Sequence, residues 1–179
     1  MPTDDSLTRY GRAVATGAGE ALGTAAAALL DRFDGRVCRI EPGLTAAEFT
    51  RVEDEFGFEF AEDHRTFLAA GLPLSIPHDD PPGVIRTDRT PWPDWRDGDP
   101  AVLRERLNRP VEGVLFDVEH NAFWDGSWGE RSAESGDALD IARRCLLDVP
   151  RLVPIYGHRY LPAGRGSFGH PILLKGAAR

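Results

Sequence analysis

The sequence predicts an α+β fold, a single domain in which a mixed or antiparallel sheet is flanked by helices. Helical signals occur as an early pair and once more late in the chain, and short runs typical of strands are scattered between them. Of the 179 residues, 41% are hydrophobic and 28% are charged, as in an ordinary globular domain with a substantial core. We find no internal repeat and no linker that would divide the chain into two domains.

The first part of the chain is predicted to be a helical extension, residues 1–40, packed on a main body formed by residues 41–179. Residues 6 to about 33 are rich in alanine and glycine, with apolar residues spaced between them. Glycines are expected to interrupt this helix, because each interior glycine costs roughly 1 kcal/mol relative to alanine. RVCRIE, residues 36–41, alternates and contains β-branched residues, which predicts a short strand.

The strongest local signal is LTAAEFTRVEDEFG, residues 44–57, which predicts an amphipathic helix. Thr45 is a good N-cap and Glu48, three residues later, completes a capping box, while Gly57 is expected to end the helix. AEDHRTFLAAG, residues 61–71, predicts a second helix, because acidic residues occupy its first turn and complement the helix dipole.

The middle of the chain is rich in proline. Seven prolines lie between residues 73 and 100, which excludes a long helix or a central strand there. PWPDWR, residues 91–96, holds Trp92 and Trp95, and we expect both indoles to be buried against the body.

The C-terminal half is predicted to hold two helices and three strands. Residues 101–109 predict a short helix that ends before Pro110, and residues 132–147 predict an amphipathic helix. Short apolar runs predict the strands, at residues 113–118, 151–155 and 170–174.

Charge is unevenly placed along the chain. The formal net charge is −8, and residues 41–65 hold eight acids against two arginines. This balance argues against nucleic acid, since phosphate binding needs clustered Lys and Arg, whereas an acidic face could attract a basic protein. The alternative is a solvated helix surface. The candidate acidic partner face comprises Glu48, Glu53, Asp54, Glu55, Glu59, Glu62 and Asp63.

Nothing in the sequence predicts a membrane segment, a disulfide or a cofactor site. The N-terminus lacks a basic region typical of a signal peptide, and the apolar run at 21–30 is too short to span a bilayer. Cys38 and Cys145 lie far apart among apolar neighbours, as in reduced, buried thiols. We therefore expect a cytoplasmic protein without a bound metal or cofactor.

The stretch LFDVEHNAFWDGSWG, residues 115–129, crowds acids and a histidine together as an active site would. On a strand, Asp117 and Glu119 would share one face, and with His120 and His158 they could form a metal-assisted or small-molecule hydrolase. No metal-binding histidine spacing, no GxSxG motif and no dinucleotide fingerprint supports a specific reaction. The aromatic and histidine side chains in these loops either line a ligand groove or form a small core: Phe123, Trp124, Trp128, Tyr156, His158 and Tyr160.

Several blocks together resemble the SUKH superfamily. The helix pair at 44–71 is followed by PWPDWR, then FDVEHNAFW, then PIYGHRYLP, an order similar to one bacterial branch of that superfamily. The resemblance covers roughly residues 44–174. Ala61 replaces a usual proline, His64 stands where an aromatic residue is commoner, and relatives often continue with a further strand and an acidic tail.

The resemblance implies a non-enzymatic binding protein, because no catalytic residue set travels with this fold. Many bacterial members resemble immunity proteins that neutralise toxins, so we expect a protein partner, with a basic toxin domain as the candidate, and predict no catalytic or metal-binding residue. The alternative to immunity is a regulatory scaffold that uses the loop at 73–100. The three blocks are predicted to form one binding or structural cluster: Trp92, Trp95, Asp117, Glu119, His120, Asn121, Trp124, His158, Arg159 and Tyr160.

Overall fold

The structure, a computed structural model, describes residues 38–76 and 92–174 and the positions 21, 24–26, 28, 29 and 32. Most of the predicted N-terminal extension and most of the proline-rich loop lie outside these residues. The described residues between 21 and 29 are helical. The strand predicted at 36–41 is confirmed as β1, Cys38–Glu41. This strand crosses the boundary predicted between residues 40 and 41, and the division into extension and body stays a prediction.

Helices and two small antiparallel sheets form a single α+β domain, which confirms the predicted fold class. Strand β1 pairs with β2, Leu72–Ser75, with Cys38 opposite Ser75. The second sheet has the order β3, Leu152–Tyr156; β4, Arg159–Pro162; and β5, Leu173–Leu174. Within residues 38–76 and 92–174 there are four α-helices: α1, Ala46–Phe56; α2, Glu62–Ala70; α3, Pro100–His120; and α4, Ser135–Leu147. A short 3₁₀ turn spans Gly126–Trp128.

Helix α1 begins and ends as its sequence predicts. The Thr45 hydroxyl accepts from the Glu48 amide at 3.3 Å, and the Glu48 carboxylate accepts from the Thr45 amide at 2.7 Å. This capping box satisfies two backbone donors that the helix itself leaves unpaired. Gly57 follows in the left-handed region at φ 67°, where a side chain would be strained.

The strand predicted at 113–118 is wrong, and so is the helix end predicted before Pro110. Helix α3 runs through both, for 21 residues. A proline inside a helix has no amide hydrogen, which leaves the carbonyl of the residue four positions earlier without its donor. Here that carbonyl belongs to Arg106, and the Tyr160 hydroxyl from β4 lies 3.5 Å from it as a replacement donor. Strand β4 thus supplies a hydrogen-bond donor in place of the amide hydrogen that Pro110 lacks.

Among the described residues, the buried hydrophobic side chains form two cores. The larger core is closed by both early helices, β2, Trp95, the first half of α3 and Val153 of β3. The smaller core lies between the second half of α3 and α4, where Val118, Ala138 and Ala142 are buried. The apolar run that reads as a strand in the sequence is therefore the α3 side of this helix–helix contact.

Candidate functional site

The PWPDWR block is held by an arginine that contacts four residues. Arg96 donates from Nε to Glu48 at 2.5 Å and from Nη1 to Glu41 at 3.2 Å. Its Nη2 reaches the carbonyls of Pro42 and Gly43 at 3.0 and 3.2 Å. The Arg96 bond, together with the Thr45 cap, lowers the pKa of Glu48 to about 2. This network ties the block to the start of α1.

The two tryptophans of this block have different surroundings. Trp95 is buried in the larger core, edge-on to three phenylalanine rings. Trp92 packs edge-on against Tyr156 at 4.7 Å between ring centroids and stacks on Phe67 at 6.2 Å. The PWPDWR and PIYGHRYLP blocks therefore meet in space through Trp92 and Tyr156.

The acids and histidine of the third block lie at the end of α3. Asn121 Nδ2 donates to Asp117 Oδ1 at 2.6 Å, and the Asp117 carbonyl accepts from the amides of Asn121 and Phe123 at 3.0 Å. His120 Nε2 lies 3.4 Å from Glu119. Because the segment is helical, Asp117 and Glu119 point to roughly opposite sides of the helix, about 200° apart. The prediction that they share one face of a strand is therefore wrong. These side chains mainly terminate a helix.

His158 belongs to a different part of the molecule. It lies in the turn between β3 and β4, two residues before Tyr160. Tyr160 contacts the Arg106 carbonyl, which is eleven residues from Asp117 and thus about 17 Å away along α3. Arg159 stacks over Tyr156, its guanidinium carbon 5.6 Å from the ring centroid. Within the described residues, no group of three His, Cys, Asp or Glu residues could hold a metal ion.

The remaining aromatic residues divide between the smaller core and the second sheet. Trp124 and Trp128 pack edge-on at 5.3 Å against the smaller core, and the Trp124 indole donates to the Gly129 carbonyl at 2.8 Å. Tyr156 and Tyr160 lie on the second sheet. The aromatic residues of the predicted single groove therefore separate into two groups, one at the smaller core and one on the second sheet.

The predicted acidic face on α1 and α2 is largely balanced by arginines from elsewhere. Arg96, Arg104 and Arg165 pair with Glu48, Glu55 and Glu59, and Arg39 pairs with Glu41. These four arginines reduce the net charge of −6 in residues 41–65 to −2. Asp63 accepts amides of the chain, so Asp54 and Glu62 are the members without a described ion pair or side-chain hydrogen bond.

Glu53, a member of the same predicted face, is buried. Its Oε1 accepts from the Phe60 amide at 3.1 Å and from Arg65 at 2.9 Å, and its Oε2 accepts from Arg165 at 3.2 Å. With only 7% of its surface exposed, Glu53 contributes an internal junction rather than a surface charge.

A cavity of about 500 Å³ opens near β2 and the start of α3. Leu74, Trp92 and Leu103 form part of its apolar wall, and Arg39 and Arg106 add positive charge. Of these lining residues, only Trp92 was predicted from the sequence to belong to a site. The other lining residues come from three separate segments, so no local pattern marks them. Asp117, Glu119, His120 and His158 do not line this cavity.

No helix in the described part of the chain has the length and apolar character needed to cross a bilayer. Comparisons with known proteins add no family to these observations. No family model matches the chain, and neither a curated protein nor a solved structure matches it.

Proposed function

We propose that this chain is a non-enzymatic protein-binding module, an immunity protein of the SUKH kind that neutralises a toxin domain by associating with it. The observation that carries the proposal is the position of the acids and histidine of FDVEHN. They lie at the exposed end of α3, bonded to one another, and the cavity is lined by other residues. A surface of this kind suits association better than it suits reaction with a small substrate.

The resemblance supports the same proposal from the sequence. It rests on three blocks in a fixed order, and two of these blocks contact each other through Trp92 and Tyr156. The resemblance implies an α+β binding protein, and an α+β arrangement is compatible with that role. Fold class alone does not fix a partner, so the immunity role depends on the motif blocks.

Co-expression tests this function. The chain is produced with the toxin domain encoded beside its gene, and with an unrelated toxin domain of similar size and charge as the control. We expect a co-purifying complex and restored growth with the neighbouring toxin only. Failure to associate, together with no protection, would contradict the proposal.

We further propose that the protein works in the cytoplasm. Both cysteines are free thiols, and burial raises the pKa of the Cys38 thiol. Free, protected thiols are typical of a reducing compartment. Fractionation of cells that produce the full chain tests this, and recovery outside the cytoplasm would contradict it.

A further inference from the structure

The segment from Glu112 to Glu130 combines negative charge with exposed aromatic rings. It contains no lysine or arginine and five acids, Glu112, Asp117, Glu119, Asp125 and Glu130. Among the described residues, none of these five forms an ion pair with an arginine; the one recorded ion pair joins Glu119 to His120. Within the described part of the chain, these five carboxylates therefore lack the arginine ion pairs that most carboxylates of the predicted acidic face on α1 and α2 have.

Large apolar rings lie on the same segment. Phe116 is 49% exposed and Phe123 is 44% exposed. Glu112, Phe116 and His120 follow one another at four-residue spacing, which places them on one face of α3. Phe116 contacts the His120 ring at 4.5 Å, and Phe123 packs edge-on against Trp128 at 5.9 Å. We call this surface, Glu112 to Glu130, the α3-end face.

The face is held in place by short-range contacts. Phe123 follows Ala122, which has a positive φ of 54° and so turns the chain sharply after the helix. Arg131 donates to the Val118 carbonyl at 2.9 Å and ties the return of the chain to α3. Exposed aromatic rings on a fixed scaffold are typical of binding hot spots, because little conformational entropy is lost on association.

We propose that the α3-end face is the docking surface for a basic polypeptide, whose arginines stack on Phe116 and Phe123 while pairing with the surrounding carboxylates. This inference rests on the protein-binding function proposed above and adds the surface and the partner's chemistry. Charge complementarity selects the occupant, since five acids and aromatic faces both favour a guanidinium group. The face differs from the acidic face predicted from the sequence, where arginines already occupy most of the carboxylates.

A titration of the labelled full chain tests the proposal. A synthetic peptide of alternating glycine and arginine is added while backbone amide and indole resonances are followed, with lysine and glutamate peptides of equal length for comparison. We expect shifts concentrated in residues 112–130, weaker binding of the lysine peptide and none of the glutamate peptide. Shifts centred on residues 46–70, or no shifts, would overturn the assignment.

Matched variants separate the two acidic surfaces. Glu112→Gln with Glu119→Gln removes two charges from the α3-end face, and Asp54→Asn with Glu62→Gln removes two from α1 and α2. We expect the first pair, and separately Phe116→Ser, to weaken arginine-peptide binding about fivefold, while the second pair leaves it nearly unchanged. Equal losses from both pairs would contradict the proposal. Thermal unfolding checks each variant, and Phe123→Ser replaces Phe116→Ser if the latter is unfolded.

Two further outcomes distinguish this inference from the function on which it rests. If the neighbouring toxin associates but the α3-end variants bind it as the wild type does, the module binds protein and the assigned face is wrong. If sedimentation shows a dimer that Phe116→Ser dissociates, a second copy covers the face and the proposal of a basic partner fails.

Discussion

Glu53 shows at the residue scale how a carboxylate that looks like surface charge can instead join segments. It connects α1 to the amide of Phe60, to Arg65 of α2 and to Arg165 in the loop after β4. From the sequence, Glu53 was predicted to be one of the acids of a surface helix. Its partner Arg165 lies 112 positions away along the chain, so no local pattern indicates the contact. Non-local partners of this kind carry no signal in a local pattern.

Replacing Glu53 tests its role as a junction. Glu53→Gln keeps one acceptor for the Phe60 amide but removes the charge that pairs with both arginines. We expect a loss of about 2 kcal/mol in the free energy of unfolding, since the partly buried Arg65 loses its carboxylate partner. Urea unfolding measures the loss, with Asp54→Asn as the adjacent, exposed control. Equal stabilities of the two variants would argue against the junction.

The buried side chain of His64 makes the free energy of unfolding depend on pH. The side chain is buried against Phe60, and burial lowers its pKa to about 4 from an ordinary 6.5, opposed in part by Asp63. The unfolded chain binds a proton near pH 6.5 and the folded chain does not, so stability falls as pH drops from 6.5 towards 4. The loss reaches roughly 3 kcal/mol across that window.

His64→Phe is expected to flatten the unfolding free energy between pH 6.5 and 4.5, whatever it does to stability at neutral pH. Urea unfolding over this range makes the comparison. The Glu48 carboxylate titrates lower, with a folded pKa of about 2, so its contribution is lost only below pH 4.5 and does not confuse the result. Parallel pH curves for variant and wild type would show that His64 is not the titrating group.

At the scale of elements, α1 and α3 show what the sequence can and cannot predict. The capping box of α1 is local, with Thr45 and Glu48 three positions apart, and its prediction is confirmed. Helix α3 was divided at Pro110 because proline breaks helices in general. What overrides that rule is Tyr160, 54 positions from Arg106, whose hydroxyl meets the freed carbonyl. The apolar run after Pro110 was then mistaken for a strand.

Tyr160→Phe tests this compensation. The substitution removes the hydroxyl that lies 3.5 Å from the Arg106 carbonyl, and we expect a loss of about 1 kcal/mol in unfolding free energy. Tyr156→Phe is the matched control, because the described residues give its hydroxyl no hydrogen-bond partner. Denaturant unfolding of both variants decides the matter, and equal losses would mean that the bond contributes nothing.

For the whole molecule, the division into two cores predicts unequal local stability. The larger core joins helices, strands and loop residues, whereas the smaller core joins α4 chiefly to α3 and the 3₁₀ turn. Amides of α4 are therefore expected to exchange through local openings at lower free energy than amides of α1. Native-state hydrogen exchange measures both, and a single common free energy would contradict two units of different stability.

The candidate site could be predicted only in part, because its contacts join residues that lie far apart in the sequence. Trp92 and the PIYGHRYLP block were expected to meet and do, through Tyr156. The FDVEHN block was expected to join them, but as part of a helix it lies beside α4 instead. Exposed Phe116 and Phe123 were not singled out as a surface, because exposure depends on the packing of α3 and not on the residues themselves.

We propose above all that this chain acts by binding another protein. Calorimetric titration of the purified chain with a toxin domain encoded beside its gene tests this most directly. We predict saturable one-to-one binding with a dissociation constant in the micromolar range or tighter, weakened by Phe116→Ser and unchanged by Asp54→Asn. A titration without binding heat, repeated at a second temperature and accompanied by no protection in cells, would contradict the claim.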